Sequence, residues 1–291
     1  MVAWVAILVV RPWSSAALTD LGDGGCSRSP FSRTMKRLLT ALFFGAACAA
    51  TLSAQTVIAQ WRFGEGDGGA SNGAAVGATT TDAVGTNHLT RTSAATYTGT
   101  TPGAGSTLAI VADTSAMFSG TAITSVSSAS SFFMEVWFKP TTLSGSQTLV
   151  YNGDGSFRGL GLYLDGSTLR LLAGGQFDNA TTGTATLNSW NYAALVWDNQ
   201  NVSVYLNTIA APVYSAVRSF NAANGGDSLF FGTLSGGFDE ARVASFGTGA
   251  FSTSMLNYQS VSAIPEPSTY AALIGVAALG LVAWRRRTHR R

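Results

Sequence analysis

Glu135, the adjacent pair Asp239-Glu240 and His88 are the residues of this 291-residue chain whose types could carry out covalent chemistry. Retaining hydrolysis of a glycosidic bond needs two carboxylates about 5 Å apart, one acting as acid and one as nucleophile. Glu135 has no second acid close to it in sequence. Asp239 and Glu240 are neighbours, and neighbours in a regular strand point to opposite faces, so this pair is not expected to converge. Its expected role is a structural salt bridge to Arg242 or to a neighbouring strand. A Ser-His-Asp triad would have to use His88, because His289 lies in a basic tail, and His88 sits in a Gly/Thr-rich stretch with no nucleophile elbow. These patterns predict that the chain is not an enzyme.

Two turns offer hard oxygen ligands of the kind calcium takes: Asn152-Gly153-Asp154-Gly155 and Asn224-Gly225-Gly226-Asp227. Asp154 and Asp227 are the candidate ligands, and both segments are equally good turns without a metal. No other cofactor is expected. Trp61, Trp137, Trp190 and Trp197 could stack on sugar faces, but they lie on strand patterns and are expected to fill the core.

Residues 55–263 must position these groups, and they read as strands. Phe132, Met134, Val136 and Phe138 alternate with Phe133, Glu135 and Trp137, so both faces of this strand are largely apolar, as in a sandwich. Short apolar runs follow at Thr148–Tyr151, Leu160–Leu164, Leu169–Leu172, Asn191–Val196, Val202–Leu206, Leu229–Gly232 and Phe238–Val243. Turn chemistry separates them, as at Asp165-Gly166 and Asp198-Asn199-Gln200-Asn201. Strands at this spacing predict an all-β, antiparallel β-sandwich of the jelly-roll kind. Residues 64–107, rich in Gly, Ala and Thr, are expected to form loops with scattered short strands.

The two ends carry different information. From Met35 the chain reads as a signal peptide: Lys36-Arg37, an apolar Leu38–Ala50, then small residues, with cleavage expected after Ala54 and cleavage after Ala49 left open by the large Leu52 three residues before that point. Residues 1–34 are expected to be a mis-assigned upstream extension and 35–54 the signal helix. Cys26 and Cys48 both precede that cleavage point, so the exported form would have no disulfide, thiol nucleophile or Cys-ligated zinc. At the other end Pro265-Glu266-Pro267 leads into the apolar run Thr269–Trp284 and then Arg285, Arg286 and Arg287. Such a run spans about 24 Å as a helix and predicts one transmembrane segment with its Arg cluster in the cytoplasm. Ten of the 17 basic residues lie in these ends, leaving seven basic and twelve acidic residues in the body and a net charge of −5 there. That balance excludes nucleic acid as a partner of the body.

The tail, over residues 264–291, resembles the PEP-CTERM sorting signal that bacterial exosortases recognise and process. The body resembles the laminin-G-like, concanavalin A-like jelly roll. That resemblance rests on Trp61–Gly66, Phe133–Pro140, Gly161–Gly166, Ser189–Trp197, Val202–Asn207 and the closing Gly237–Val243. Asn207-Thr208 stands where the family usually has Asp-Gly. The fold hosts lectins, adhesive modules and β-glucanases, but the paired-acid string Glu-x-Asp-x-x-Glu of the glucanases does not occur here. Domains of this kind hold calcium at the sandwich rim, which Asp154 and Asp227 could serve. The resemblances imply an exported protein: an inner-membrane-anchored precursor, processed by an exosortase-type enzyme and delivered to the cell surface or extracellular matrix. There it would bind extracellular polysaccharide or adhere, with a glycan-cleaving hydrolase as the alternative.

Overall fold

The computed structural model describes residues 55–258 apart from 104, 113–117, 155–156, 175 and 179–182. The expected signal helix, the transmembrane helix, the Ala54 cleavage point, Pro265-Glu266-Pro267 and the Arg cluster lie outside the described residues.

Among the described residues sixteen strands follow one another: β1 Thr56–Trp61, β2 Thr79–Thr80, β3 Leu89–Arg91, β4 Thr96–Thr98, β5 Ala109–Ala112, β6 Phe118–Thr121, β7 Ser131–Pro140 and β8 Ser146–Gly153. Then come β9 Gly159–Asp165, β10 Thr168–Ala173, β11 Gln176–Asp178, β12 Asn191–Asp198, β13 Asn201–Leu206, β14 Tyr214–Val217, β15 Ser228–Phe231 and β16 Gly236–Ser245. They form two sheets of eight strands. One runs β14-β13-β12-β7-β16-β5-β4 with β1 also on β16; the other runs β11-β10-β9-β8-β15-β6-β3-β2. Every pairing is antiparallel, which makes the molecule the expected all-β sandwich of jelly-roll type.

The alternation in β7 sets the layers. Phe132, Met134, Val136 and Phe138 enter the core between the sheets, where they meet Leu160, Leu162 and Leu164 of β9 and Leu229 and Phe231 of β15. Burying an aromatic or aliphatic side chain of this size contributes about 1.5–3 kcal/mol. Phe133, Glu135 and Trp137 face outward and are covered as well. A second apolar cluster forms there from Phe133, Tyr192, Val196, Tyr205 and Ala244 under Phe246, Met255 and Leu256, which belong to the chain that follows β16. Turn chemistry behaves as the residues demand. Asp198 and Asn201 pair across a two-residue loop whose Asn199 and Gln200 both have positive φ (47° and 73°), the geometry that suits a twisted hairpin.

Strand β16 contains the irregularity on which the site depends. Residues 236–238 pair with β5 and 241–245 with β1, so β16 changes partner on one edge near Glu240. On its other edge Asp239 pairs with Trp137 and Arg242 with Glu135, leaving one extra residue in β16. This is a β-bulge. Phe238, Ala241 and Val243 all reach the central core. The inward Phe238 and the inward Ala241 are therefore three positions apart instead of two, with two residues between them. Asp239 and Glu240 both fall on the outer side, which corrects the expectation that they point to opposite faces. Glu240 takes the strain of the bulge at φ 45°.

The four tryptophans divide. Trp61 and Trp197 are fully buried in the core, as expected. Trp137 instead lies half-buried on the outer face, stacked on Tyr258 with ring centroids 5.9 Å apart. Trp190 is also only half-buried and precedes β12.

Candidate functional site

The bulge assembles three carboxylates. Oxygens of Glu65, Asp239 and Glu240 lie within 4.8 Å of one another. Glu65 reaches them from the turn after β1. That turn needs the backbone freedom of Gly64, whose φ is +150° and at which a Cβ would come within 2.5 Å of the Leu108 Cβ. The close approach to residue 108 lets Glu65 Oε1 accept from the backbone N–H of Leu108 (3.0 Å), from the Thr107 hydroxyl (3.0 Å) and from the Thr107 backbone N–H. Asp239 Oδ2 accepts from the Ser106 hydroxyl at 2.6 Å. Glu240 Oε1 accepts from Arg62 Nε at 2.8 Å and Oε2 from Gln60 Nε2 at 3.4 Å. The guanidinium is in turn held by the Gly105 carbonyl, 2.9 Å from Nη2.

Four of the six carboxylate oxygens accept a hydrogen bond and two do not. Glu65 Oε2 and Asp239 Oδ1 are buried with no hydrogen-bond partner among the described residues. Asp239 is 0% and Glu240 2% exposed, and only Glu65 keeps partial contact with solvent. Burial pushes the Asp239 carboxyl up to about 9, and the charges of Glu240 and Glu65 push the same way. Burial also raises Glu240, against the pull of Arg62.

The acids singled out by sequence lie elsewhere or serve otherwise. Glu135, 1% exposed, accepts from Arg242 Nε at 2.6 Å, from the Tyr192 hydroxyl and from the Asn257 backbone N–H at 3.0 Å. Arg242 is thus the partner of Glu135, and the Asp239-Glu240 pair makes its ion pair with Arg62, just beyond the neighbouring strand β1. Asp154 and Asp227, the candidate calcium ligands in what could equally be plain turns, are brought together, but around the guanidinium of Arg158. Arg158 Nη2 lies 3.1 Å from Asp154 and 2.8 Å from Asp227, with Arg158 Nε 2.9 Å from Asp227. Asp154 Oδ1 also accepts from the N–H groups of Phe157 (2.8 Å) and Arg158 (2.9 Å), and Asp227 Oδ2 from Asn224 N–H (2.8 Å). Both segments are turns closed by an arginine. His88 Nδ1 accepts the Asp82 N–H at 3.1 Å, a structural use.

Sequence reasoning missed Glu65 and the Ser106–Leu108 segment as parts of one site. Glu65 stood inside a quoted turn, but 174 positions separate it from Asp239, and no periodicity marks residues 104–108.

The comparisons with known proteins agree with this architecture. Residues 111–246 match the model of the concanavalin A-like lectin/glucanases superfamily, and residues 263–287 match the PEP-CTERM protein-sorting motif. The chain carries a concanavalin A-like domain and a PEP-CTERM sorting motif. That combination makes it an exported, cell-surface protein, and the motif implies processing by an exosortase. Among solved structures, the concanavalin A-like domain is similar to domain 4 of AbnA, an extracellular GH43 arabinanase of Geobacillus stearothermophilus solved with arabinotriose. The identity is 18% and the TM-score 0.52, over 69% of this chain and 96% of that one. It is also similar to the binding domain of botulinum neurotoxin serotype D (10% identity, TM-score 0.46, over 68% of this chain and 50% of that one). A third is the Trypanosoma rangeli sialidase in complex with sialic acid (12%, TM-score 0.45, over 79% and 39%). At these identities the likeness is one of fold, and the chain spans half or less of the last two. No curated protein matches the chain.

Proposed function

We propose that the concanavalin A-like domain is a non-enzymatic binding module for extracellular polysaccharide, presented at the surface or in the matrix after an exosortase-type enzyme removes its membrane-anchored tail. The order of the parts carries this reading: a lectin-type sandwich described as far as Tyr258, followed from residue 263 by a sorting motif. The fold it shares with an arabinotriose-bound domain supports an oligosaccharide as ligand.

Burial of the carboxylates favours binding over cleavage. Both the acid and the nucleophile of a glycosidase must touch the sugar. Glu135, Asp239 and Glu240 are 1%, 0% and 2% exposed, and the first is neutralised by Arg242. The protein released from the cell surface is to be tested on immobilised polysaccharides and on a panel of soluble β-glucans. Retention on at least one polysaccharide, with no reducing ends released, is the expected outcome. Release of reducing ends would replace this reading with the hydrolase, and neither retention nor cleavage would reduce the domain to a structural spacer.

A further inference from the structure

We infer that Asn224 is a site of spontaneous covalent modification, deamidation by its own backbone to aspartate and isoaspartate, and that the fold confines this chemistry to one of three Asn-Gly bonds. The inference is independent of whether the domain binds a glycan.

The reaction needs only water besides the chain itself. The backbone nitrogen of the residue after an asparagine attacks the side-chain Cγ. A C–N bond forms there, the bond from Cγ to the amide nitrogen breaks, and that nitrogen leaves as ammonia with the proton of the attacking N–H. Water then opens the cyclic imide at either carbonyl, giving Asp or isoAsp. Glycine in the second position puts no Cβ in the way. The attacking N–H must be unengaged, the amide must be able to lie over it, and water must reach both.

The chain has three such bonds, Asn72-Gly73, Asn152-Gly153 and Asn224-Gly225. Asn152 is 2% exposed in β8, and Ile123 holds both ends of its amide. Oδ1 accepts the Ile123 N–H at 2.7 Å and Nδ2 donates to the Ile123 carbonyl at 3.0 Å. Asn72 is exposed, but its Oδ1 accepts the Gly99 N–H at 2.9 Å, which ties the amide to another part of the chain. The Gly73 N–H is engaged too, donating to the Tyr97 carbonyl at 2.8 Å.

At Asn224 the nucleophile is free and the amide is aimed at it. Residues 224–226 are exposed in the loop before β15. The Gly225 N–H donates to no group among the described residues. Asn224 Oδ1 accepts the Gly226 N–H at 2.9 Å, an Asx turn. That bond closes a ring that contains Gly225 N, so Cγ is folded back over the attacking atom. The same N–H polarises the amide carbonyl and stands where the oxyanion of the tetrahedral intermediate develops. Meanwhile the main chain is held: Asn224 N–H donates to Asp227 Oδ2 at 2.8 Å, and the Asn224 carbonyl accepts the Asp227 N–H at 3.1 Å.

The product adds charge where negative charge is already in excess. Asp154 and Asp227 face the single guanidinium of Arg158, and a carboxylate at 224 brings a third acid to that turn. IsoAsp also routes the main chain through an extra carbon, which the turn from Asn224 to Asp227 must absorb. In an exported protein the modified fraction grows with time spent outside the cell.

The test incubates the full chain in detergent micelles at mildly alkaline pH, with a parallel sample in urea. Samples taken over days are digested at acid pH, so that digestion adds no product, and mapped by mass spectrometry. Expected is the mass gain of replacing NH₂ by OH at Asn224, in two chromatographically separate products, at least tenfold faster than at Asn72 or Asn152. In urea the three rates should converge, because the fold alone ranks them. A Cβ at Gly225 meets nothing within 4 Å, so Gly225→Ala should keep the Tm and slow the conversion at least tenfold. An unchanged Asn224 in the folded chain when the urea sample has reacted would overturn the inference. So would equal rates at Asn224 and Asn72 in the folded chain, the same ranking in urea, or a Gly225→Ala chain that converts as fast as the unaltered one.

Discussion

Asp82 is a buried carboxylate with every need met. Its Oδ1 accepts the backbone N–H groups of Gln60 (3.0 Å) and Val84 (3.1 Å), and its Oδ2 those of Asn87, from backbone (3.0 Å) and side chain (3.3 Å). Burial pushes its pKa up, but the N–H groups outweigh that and hold it below the ordinary value. Asp239 is raised to about 9 by its deeper burial and then by the charges of Glu240 and Glu65, and one of its oxygens has no partner where Asp82 has donors for both. A carboxylate with a lowered folded pKa stabilises the protein above its unfolded value of about 3.9, and that contribution disappears as pH falls through the folded value. Asp82→Ala should therefore cost about 2–3 kcal/mol at pH 7, the range for hydrogen bonds to a charged group. Denaturant unfolding at pH 7 and at pH 3 checks this: the gap between variant and unaltered protein should narrow at pH 3. An equal gap at both would mean that shape, not charge, holds the loop.

At the scale of elements, the outer face of β7 and β12 is closed by the chain after β16. Arg242 lies over the Phe133 ring, 5.0 Å from its centroid, donates to the Met255 carbonyl and pairs with Glu135, which also accepts the Asn257 N–H. One ion pair thus fastens residues 255–257 onto the sheet. Removing one member leaves a buried charge alone, so Arg242→Met should cost about 3–5 kcal/mol, whereas Arg242→Met combined with Glu135→Leu should recover much of the loss. Urea unfolding of the two variants measures it, and a double variant as unstable as the sum of the singles would show that geometry, not charge, is at stake. The two-faced apolarity of Phe132–Phe138 was legible because period-2 alternation is a property of one strand. What covers its outer face was not, since Phe251, Met255 and Leu256 are spaced without strand or helix rhythm. Strands β7 to β10, β12, β13, β15 and β16 could be read from apolar runs between Gly and Asn turns. Four-residue β15 was read from its apolar run alone, and the other strands of two to four residues, such as β5, β6 and β14, are too short to show a period. The site was least legible of all, because a bulge at Asp239-Glu240-Ala241 has no glycine to announce it and is made by a change of partner strands.

At the scale of the whole molecule, charge and sorting are separated along the chain. The body carries a net −5 and the ends carry ten of the 17 basic residues. Only six residues, 259–264, separate Tyr258 from Pro265, so a fully extended linker reaches about 20 Å at most. Tyr258 itself is fixed to the domain by stacking on Trp137 and by its hydroxyl, which donates to the Asn207 carbonyl at 2.5 Å. Were the tail to span the membrane as the sequence predicts, the anchored precursor would hold its domain against it, and release would require a cut near Pro265-Glu266-Pro267. A plain anchor needs only apolar length and flanking charge. It gives no reason for two prolines, which cannot join the helix, around a carboxylate. Glu266 would be the charged handle for the processing enzyme, and Arg285, Arg286 and Arg287 would keep the tail in place until it acts. Glu266→Ala or Pro267→Ala should leave full-length protein in the inner membrane while the sandwich keeps its thermal stability. Mass spectrometry of the surface-released protein decides the matter: peptides should stop short of Ala271–Trp284. Recovery of those peptides from the released form, or normal release of Glu266→Ala, would make the segment an anchor and nothing more.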